Sequence, residues 1–346
     1  METSKKIYAF LIVITSVLIL IFAQSIIIPF ILAVLFWFLI RVIKKILIKI
    51  KFANRLPEWV LTLVSSFFLL STMLLIITMI TKNIQQLSST LPMYEANIHK
   101  ITSVLNTRFD IDAASMLKNF AKNFEFAGIL SGLLSALTGL FGNAVTILLY
   151  LLFLLLEEKM FPLKIKAMYP NNKEHKRIDT IFNKIDKSIS DYVALKTLIS
   201  ILTGVLSYIA LLFIGVDAPI FWAFLIFILN YISTIGSLIA TVFPAIFALL
   251  QFGEFKEGFL VLGIVGSIQM IVGNFVEPKV MGNSLNISPL VVFLTLAIWG
   301  VMWGFTGMIL SVPITVILII IMSEFPSTRP FAILLSQDGK LNTDED

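Results

Sequence analysis

The chain is 346 residues long, 58% hydrophobic and only 14% charged, with a mean hydropathy of +0.97, a balance that excludes an ordinary soluble domain. Its formal net charge of +5 comes from lysines and arginines scattered among short polar segments, which fits a membrane protein better than a nucleic-acid-binding one. The absence of cysteine excludes disulfides, thiolate metal sites and cysteine catalysis.

Stretches without a charged side chain, each long enough to span a bilayer, occur at 7–40, 59–81, 128–156, 197–216, 218–253, 258–276 and 280–323. Three of them, 7–40, 218–253 and 280–323, are too long for one crossing. The first divides at Gln24-Ser25 and Pro29 into a tight pair of apolar helices. It follows Lys5-Lys6 without a small-residue cleavage site, so a retained signal anchor is expected.

Between 41 and 55, Arg41, Lys44, Lys45, Lys49, Lys51 and Arg55 form a short basic segment with no acidic residue, which places it in the cytoplasm. Counting onward, 82–127 lies outside and 157–196, with its own excess of lysine and arginine, returns inside. Both termini come out cytoplasmic. Residues 1–81 are thus N-terminal scaffold spans, 128–156 one further span, 197–323 the transport region and 324–346 a cytoplasmic tail.

In the outer segment Ile84, Leu87, Leu91, Tyr94, Ile98, Ile101 and Leu105 form a heptad seam, which Pro92 should kink. It either packs on the following Met116, Leu117, Phe120 and Phe124 or meets another subunit. On the inner side Ile178, Ile181, Phe182, Ile185, Ile189 and Tyr192 share one face of an amphipathic helix lying at the interface, with Lys196 placed to snorkel.

The second half holds two long interrupted runs. Residues 218–253 are broken by polar and small residues around Asn230, Thr234, Gly236, Ser237 and Pro244, and 280–323 by Gly300, Gly304 and Gly307 between Pro289 and Pro313. Each reads as a hairpin of helices or half-helices, of the kind that lines transport sites. Helix packing by small residues is the competing account of the same spacings. Residues 258–276 make one span between them and carry Gln269 at bilayer depth.

No zinc-protease, serine-nucleophile or phosphate-loop motif occurs, so no enzyme is read and no cofactor is implied. Asp110 and Asp112 read as solvated loop carboxylates, and Asp217 as the cap of the helix that begins at Pro219. Glu277-Pro278-Lys279 differs, because it sits where a span meets the longest chargeless run, with Asn274 one turn earlier and Gly282 just beyond. Proline exposes upstream carbonyls there, Glu277 can bind a proton or sodium ion, and Lys279 can pair with Glu277 or attract an anion. An interfacial turn with two water-facing charges is the alternative.

The ordered stretch Asn274-Phe-Val-Glu-Pro-Lys-Val-Met-Gly282, with Asn-Ser-Leu-Asn-Ile-Ser-Pro289 after it and Trp299-Gly300, Trp303-Gly304 and Leu310-Ser-Val-Pro313 beyond, resembles the autoinducer-2 exporter family, in its quorum-signal-exporter branch. Asn230-Tyr-Ile-Ser-Thr-Ile-Gly-Ser237 and the tail Ala332-Ile-Leu-Leu-Ser336 are similar to it as well. Serine stands at 233 and 237 where many members have proline, and asparagine at 286 where many have glycine. The family's activities include export of autoinducer-2 and sodium or lithium exchange for protons.

The expectation is an all-α polytopic integral membrane protein, with about eight transmembrane helices and one or two re-entrant or broken hairpins. It should be an inner-membrane secondary transporter of a small polar signal, working by alternating access. Asn230, Thr234, Ser237, Gln269 and Asn274 would contact solute, and Glu277 and Lys279 would govern entry or proton or sodium coupling. A cation antiporter and, from another class, an oligomeric channel or structural protein are the alternatives. The resemblance implies a homo-oligomer among lipids, and no nucleic acid is expected.

Overall fold

In hydrocarbon a backbone must satisfy its own N–H and C=O groups, and long apolar runs can do so only as helices. The computed structural model describes residues 2–50, 55–90, 97, 100–101, 142–232, 235–282 and 286–341, and these are helical with no strand among them. In chain order they form α1 (Glu2–Phe22), α2 (Gln24–Ile48), α3 (Glu58–Thr90), α4 (Ala144–Glu157), α5 (Phe161–Met168), α6 (Asn172–Ile214), α7 (Pro219–Leu229), α8 (Ile235–Phe252) and α9 (Phe255–Ile271). A π-helical turn over Val272–Val276 follows, then α10 (Glu277–Met281), α11 (Pro289–Glu324) and α12 (Arg329–Leu335).

Among the described residues six helical stretches are long and apolar enough to cross a membrane, and α4 and α7 are shorter apolar helices. The protein is an all-α, multi-pass membrane protein. Large apolar side chains such as Phe67, Phe213 and Val301 stand exposed, as lipid-facing positions should. Most of the expected outer seam, together with Thr234, Asp110, Asp112 and Met116 to Phe124, falls outside the described residues; of the seam only Ile101 has a described side chain, and it is buried.

The chain forms two compact units: Met1–Ile46, Leu133–Val193 and Leu285–Asp346 make one, and Leu47–Gly132 and Ala194–Ser284 the other. The amphipathic segment expected as a separate interfacial helix is the first half of α6, a continuous helix of 43 residues. No proline or glycine interrupts it before Gly204, so nothing ends the helix at the membrane boundary.

In the unit containing residues 194–284, the 218–253 run is a helix pair, α7 and α8. Its two ends are tied by Gln251, whose Nε2 donates to the Gly215 carbonyl at 2.9 Å and whose Oε1 accepts from the Asp217 N–H at 2.7 Å. The cap position of α7 is held by Ala218, at φ +52°, rather than by Asp217, and the alanine side chain has no group to bond the helix end. Asn97 joins the same end, donating from Nδ2 to the carbonyls of Leu250 and Gln251 at 3.1 and 2.7 Å.

Gly236 explains how tightly this hairpin closes. A Cβ there would lie 1.9 Å from the Leu229 carbonyl oxygen, so only glycine admits that contact, which has the form of a Cα–H···O approach.

The other unit repeats the device in α11. Trp303 and Gly304 leave helical angles, Gly304 at φ +60°. A Cβ on Gly307 would come within 1.9 Å of the Trp299 carbonyl oxygen, and one on Gly300 within 3.0 Å of Met308. Positions eight apart touch in this way only if the chain doubles back, since a straight helix would separate them by about 12 Å. Pro289 starts the hairpin at a first-turn position and Pro313 lies buried in its second arm. Its entrance is pinned by the tail: Ser288 N–H donates to the Leu335 carbonyl at 3.1 Å, and Gln337 N–H to Asn286 Oδ1 at 3.3 Å. Asn286 has φ +43°, the left-handed geometry that asparagine tolerates and most residues avoid.

Polar anchors gather away from the tip of this hairpin, where α11 ends at Glu324. Arg41 pairs with Asp186 and, at 3.6 Å, with Glu158, and its guanidinium lies over the Trp37 ring. Trp37 Nε1 donates to Glu158 at 3.1 Å, and Lys184 pairs with Glu324 at 2.9 Å.

The glycine contacts give a direct test. Gly236→Ala should cost about 1–3 kcal/mol, as overpacking of a closed contact does, whereas Gly263→Ala, which meets nothing within 4 Å, should leave thermal unfolding in detergent unchanged. Equal melting temperatures for the two variants would contradict the close approach.

Candidate functional site

The site is built in the unit of residues 194–284, where the second half of α6 lies along the first hairpin. Gly204 allows the approach: a Cβ there would sit 3.2 Å from the Ala223 carbonyl and 3.3 Å from Phe227 Cβ. On α6 the residues Lys196, Ser200, Thr203 and Ser207 follow one another by four, three and four positions, which puts them on one face. All four are buried. A polar stripe inside a membrane helix must find partners or water.

Partners come from the broken end of α7. Asn230, 7% exposed, donates from Nδ2 to Ser200 Oγ at 3.1 Å, and Tyr231 OH shares a 2.7 Å hydrogen bond with Thr197 Oγ1. Thr203 and Thr241 return their hydroxyls to their own helices, at Ile199 and Ser237 carbonyls. Gln269 is 7% exposed and its Nε2 has no protein partner among the described residues. The same holds for Ser207 Oγ. Such groups call for water or a ligand, because leaving them bare costs about 1–3 kcal/mol each.

Charge enters at the π turn. A π turn adds a residue to the helix and leaves its carbonyls imperfectly bonded, and Pro278, lacking an N–H, withdraws the donor that Asn274's carbonyl would otherwise meet. Directly after it Glu277 accepts a hydrogen bond from Lys196 Nζ. Lys196 is 2% exposed. It does not snorkel to the boundary; it is held inside by the carboxylate, since an ammonium cannot remain buried unpaired.

The expected residues are therefore only partly brought together. Glu277 pairs with Lys196, 81 positions away, while Lys279 is exposed, as are Asn274, Pro278 and Gly282. Gly282, at φ +52°, ends α10. Gly236 and Pro244 are buried in α8, Ser237 is half-buried there, and Thr234 is not described. Pro289, Gly300, Gly304, Gly307 and Pro313 belong to the other hairpin and shape it rather than this site. Lys196 and the α6 stripe are what sequence reasoning missed. The spacing 196, 200, 203, 207 was the available signal, masked by the ordinary look of serine and threonine in an apolar span.

A family model described as AI-2E family transporter matches residues 10–327. The chain belongs to the AI-2E transporter family. Among similar proteins in this family, AI-2 transport protein TqsA of Escherichia coli is 34% identical over 323 residues, covering 92% of each chain. A Haemophilus influenzae protein named as a transport protein is 32% identical over 327 residues, covering 90% of each. The transport protein YhhT of Escherichia coli is 37% identical over 205 residues, 59% of this chain and 58% of its own. The family match spans both hairpins and the Lys196–Glu277 pair. No group of metal-ligating side chains occurs among the described residues.

The pair should behave as a coupled unit. Breaking a fully buried pair costs about 3–5 kcal/mol, and because Glu277 keeps 23% of its side chain exposed the loss in Lys196→Met should fall below that range. Adding Glu277→Gln should then recover part of the melting temperature in detergent. A double variant less stable than Lys196→Met would contradict the pairing.

Proposed function

We propose that this protein is a secondary transporter of the inner membrane that exports a small polar signalling molecule of the autoinducer-2 kind by alternating access. The observation that carries the reading is the buried Lys196–Glu277 pair beside a hairpin broken within an apolar run. A neutralised pair at the end of an interrupted helix can open to admit a solute and close again without leaving a bare charge in lipid. Similarity to TqsA, named an AI-2 transport protein, supports the substrate.

The first hairpin fits a re-entrant element. Its 11-residue first arm rises about 16 Å at 1.5 Å per residue, roughly half of a hydrocarbon core about 30 Å thick. Asn230, Thr234, Ser237 and Gln269 would contact the solute. Glu277 with Lys196 would gate it, and Lys279, Asn274 and Gly282 would face the water-filled entrance. The hairpins and 258–276 would move against the N-terminal spans, in a homo-oligomer with both termini cytoplasmic; the basic residues around Arg41 support that orientation.

The same pair favours a second reading, cation–proton antiport, in which sodium competes with the Lys196 ammonium for Glu277. Proteoliposomes separate the two. Export predicts saturable counterflow of labelled autoinducer-2 that is independent of sodium and falls at least about tenfold in Glu277→Gln, the effect of about 1.4 kcal/mol on a transport barrier. Sodium-driven proton flux abolished by Glu277→Gln would favour antiport instead. Non-saturating ohmic currents would contradict both and support a channel.

A further inference from the structure

The unit made of 1–46, 133–193 and 285–346 contains a cleft of its own, about 320 Å³ in volume, at the tip of the second hairpin. Three chain breaks meet there. One is the hairpin tip, where Gly304 turns at φ +60° with open space on its Cβ side. Another is the α1–α2 junction at Ala23, and the last is the start of α4 at Asn143. The tip is fixed by Trp303, which is buried and donates from Nε1 to the Leu20 carbonyl at 2.9 Å. With its N–H so used, the indole offers the cleft an apolar wall.

The polar lining is neutral. Gln24, Ser25, Asn143 and Thr306 contribute two amides and two hydroxyls to an otherwise mainly apolar lining, and no charged residue lines the cleft among the described residues. Pro29, also in the lining, lacks an N–H, so the Ser25 carbonyl four residues earlier loses its helical donor and is left to accept from a guest. Along α2 the cleft runs from Gln24 to Leu32, so its polar end lies about 25 Å and its near edge about 13 Å from Arg41 at 1.5 Å per residue.

We propose that this cleft is a binding site for a small, uncharged, polyhydroxylated solute, with Gln24, Asn143, Thr306 and the Ser25 carbonyl meeting its hydroxyls and Trp303 its carbon skeleton. Donors and acceptors of both kinds beside an aromatic wall match a molecule that is polar at its edges and apolar on its faces. Size decides against a bare cation. At about 30 Å³ per water the cleft holds roughly ten water-sized volumes, whereas a cation needs several oxygens converging within about 2.6 Å. This inference rests on the transport reading for its substrate class, but it assigns the solute a site that the Lys196–Glu277 region does not include.

Because the chain has no cysteine, single reporters can be placed at Ser25→Cys and Thr306→Cys in the full protein in nanodiscs, with Ser327→Cys as an exposed control. Maleimide labelling of both cleft reporters should be slowed saturably by autoinducer-2 and by ribose, and not by sodium or lithium chloride, while the control is unaffected. Asn143→Leu should raise the half-protecting concentration about three- to tenfold, the loss of one neutral hydrogen bond, with the unprotected labelling rate reporting that the cleft still folds. Protection by the salts alone would overturn the proposal, as would counterflow of autoinducer-2 with no protection of either reporter. Protection without counterflow would support the site and overturn the transport reading.

Discussion

Everything in this structure follows from one constraint: a backbone polar group in hydrocarbon must have a partner. Helices meet it automatically, and interruptions do not. The chain nevertheless interrupts itself after Leu229, through Val272–Val276 and at Trp303–Gly304. The first and last of these breaks are backed by specific contacts. Asn230 and Tyr231 bond across to α6, Trp303 bonds to the end of α1, and Gly236 and Gly307 press their α-carbons onto the carbonyls of the preceding arms. Protein contacts therefore back the broken backbone after Leu229 and at Trp303–Gly304, whereas Gly273, Asn274 and Phe275 of the π turn are exposed.

The distribution of charge obeys the same logic. Arg41, Glu158, Asp186, Lys184 and Glu324 satisfy one another, with Trp37 as an apolar and hydrogen-bonding companion. Such partly exposed pairs contribute modestly to stability. Lys196 is different, because its burial leaves it dependent on one carboxylate. A pair of that kind is poor at adding stability and well suited to specifying one arrangement over another. A transporter that changes state needs an interaction of that sort.

Much of the fold was legible in the sequence because membrane helices are read from run length and charge, and both are local properties. Two of the runs too long for one crossing, 218–253 and 280–323, fold back, and Asn230, Gly236, Gly300, Gly304 and Gly307 marked where. Asparagine at 286, where many family members have glycine, is compatible with the left-handed angle found there. Pairings between distant positions were not legible. Nothing in the neighbourhood of Lys196 announces Glu277, and the adjacent Lys279 was the more obvious partner for it. Asp217 looked like the helix cap, yet Ala218 holds that position, and nothing local announced that Gln251, 34 residues on, would accept the Asp217 N–H. The amphipathic face of 172–192 gave the right periodicity, but periodicity does not say whether a helix stops at the membrane boundary or runs through it.

The central claim is that the breaks at bilayer depth are the hydrated, working parts of the molecule. Hydrogen–deuterium exchange of the protein in nanodiscs tests it most directly. Amides of 230–236 and 303–307 should exchange much faster than those of 205–211 in the second half of α6, where the helix is unbroken and Leu211 is fully buried. Exchange at both hairpin tips as slow as in 205–211 would contradict the account.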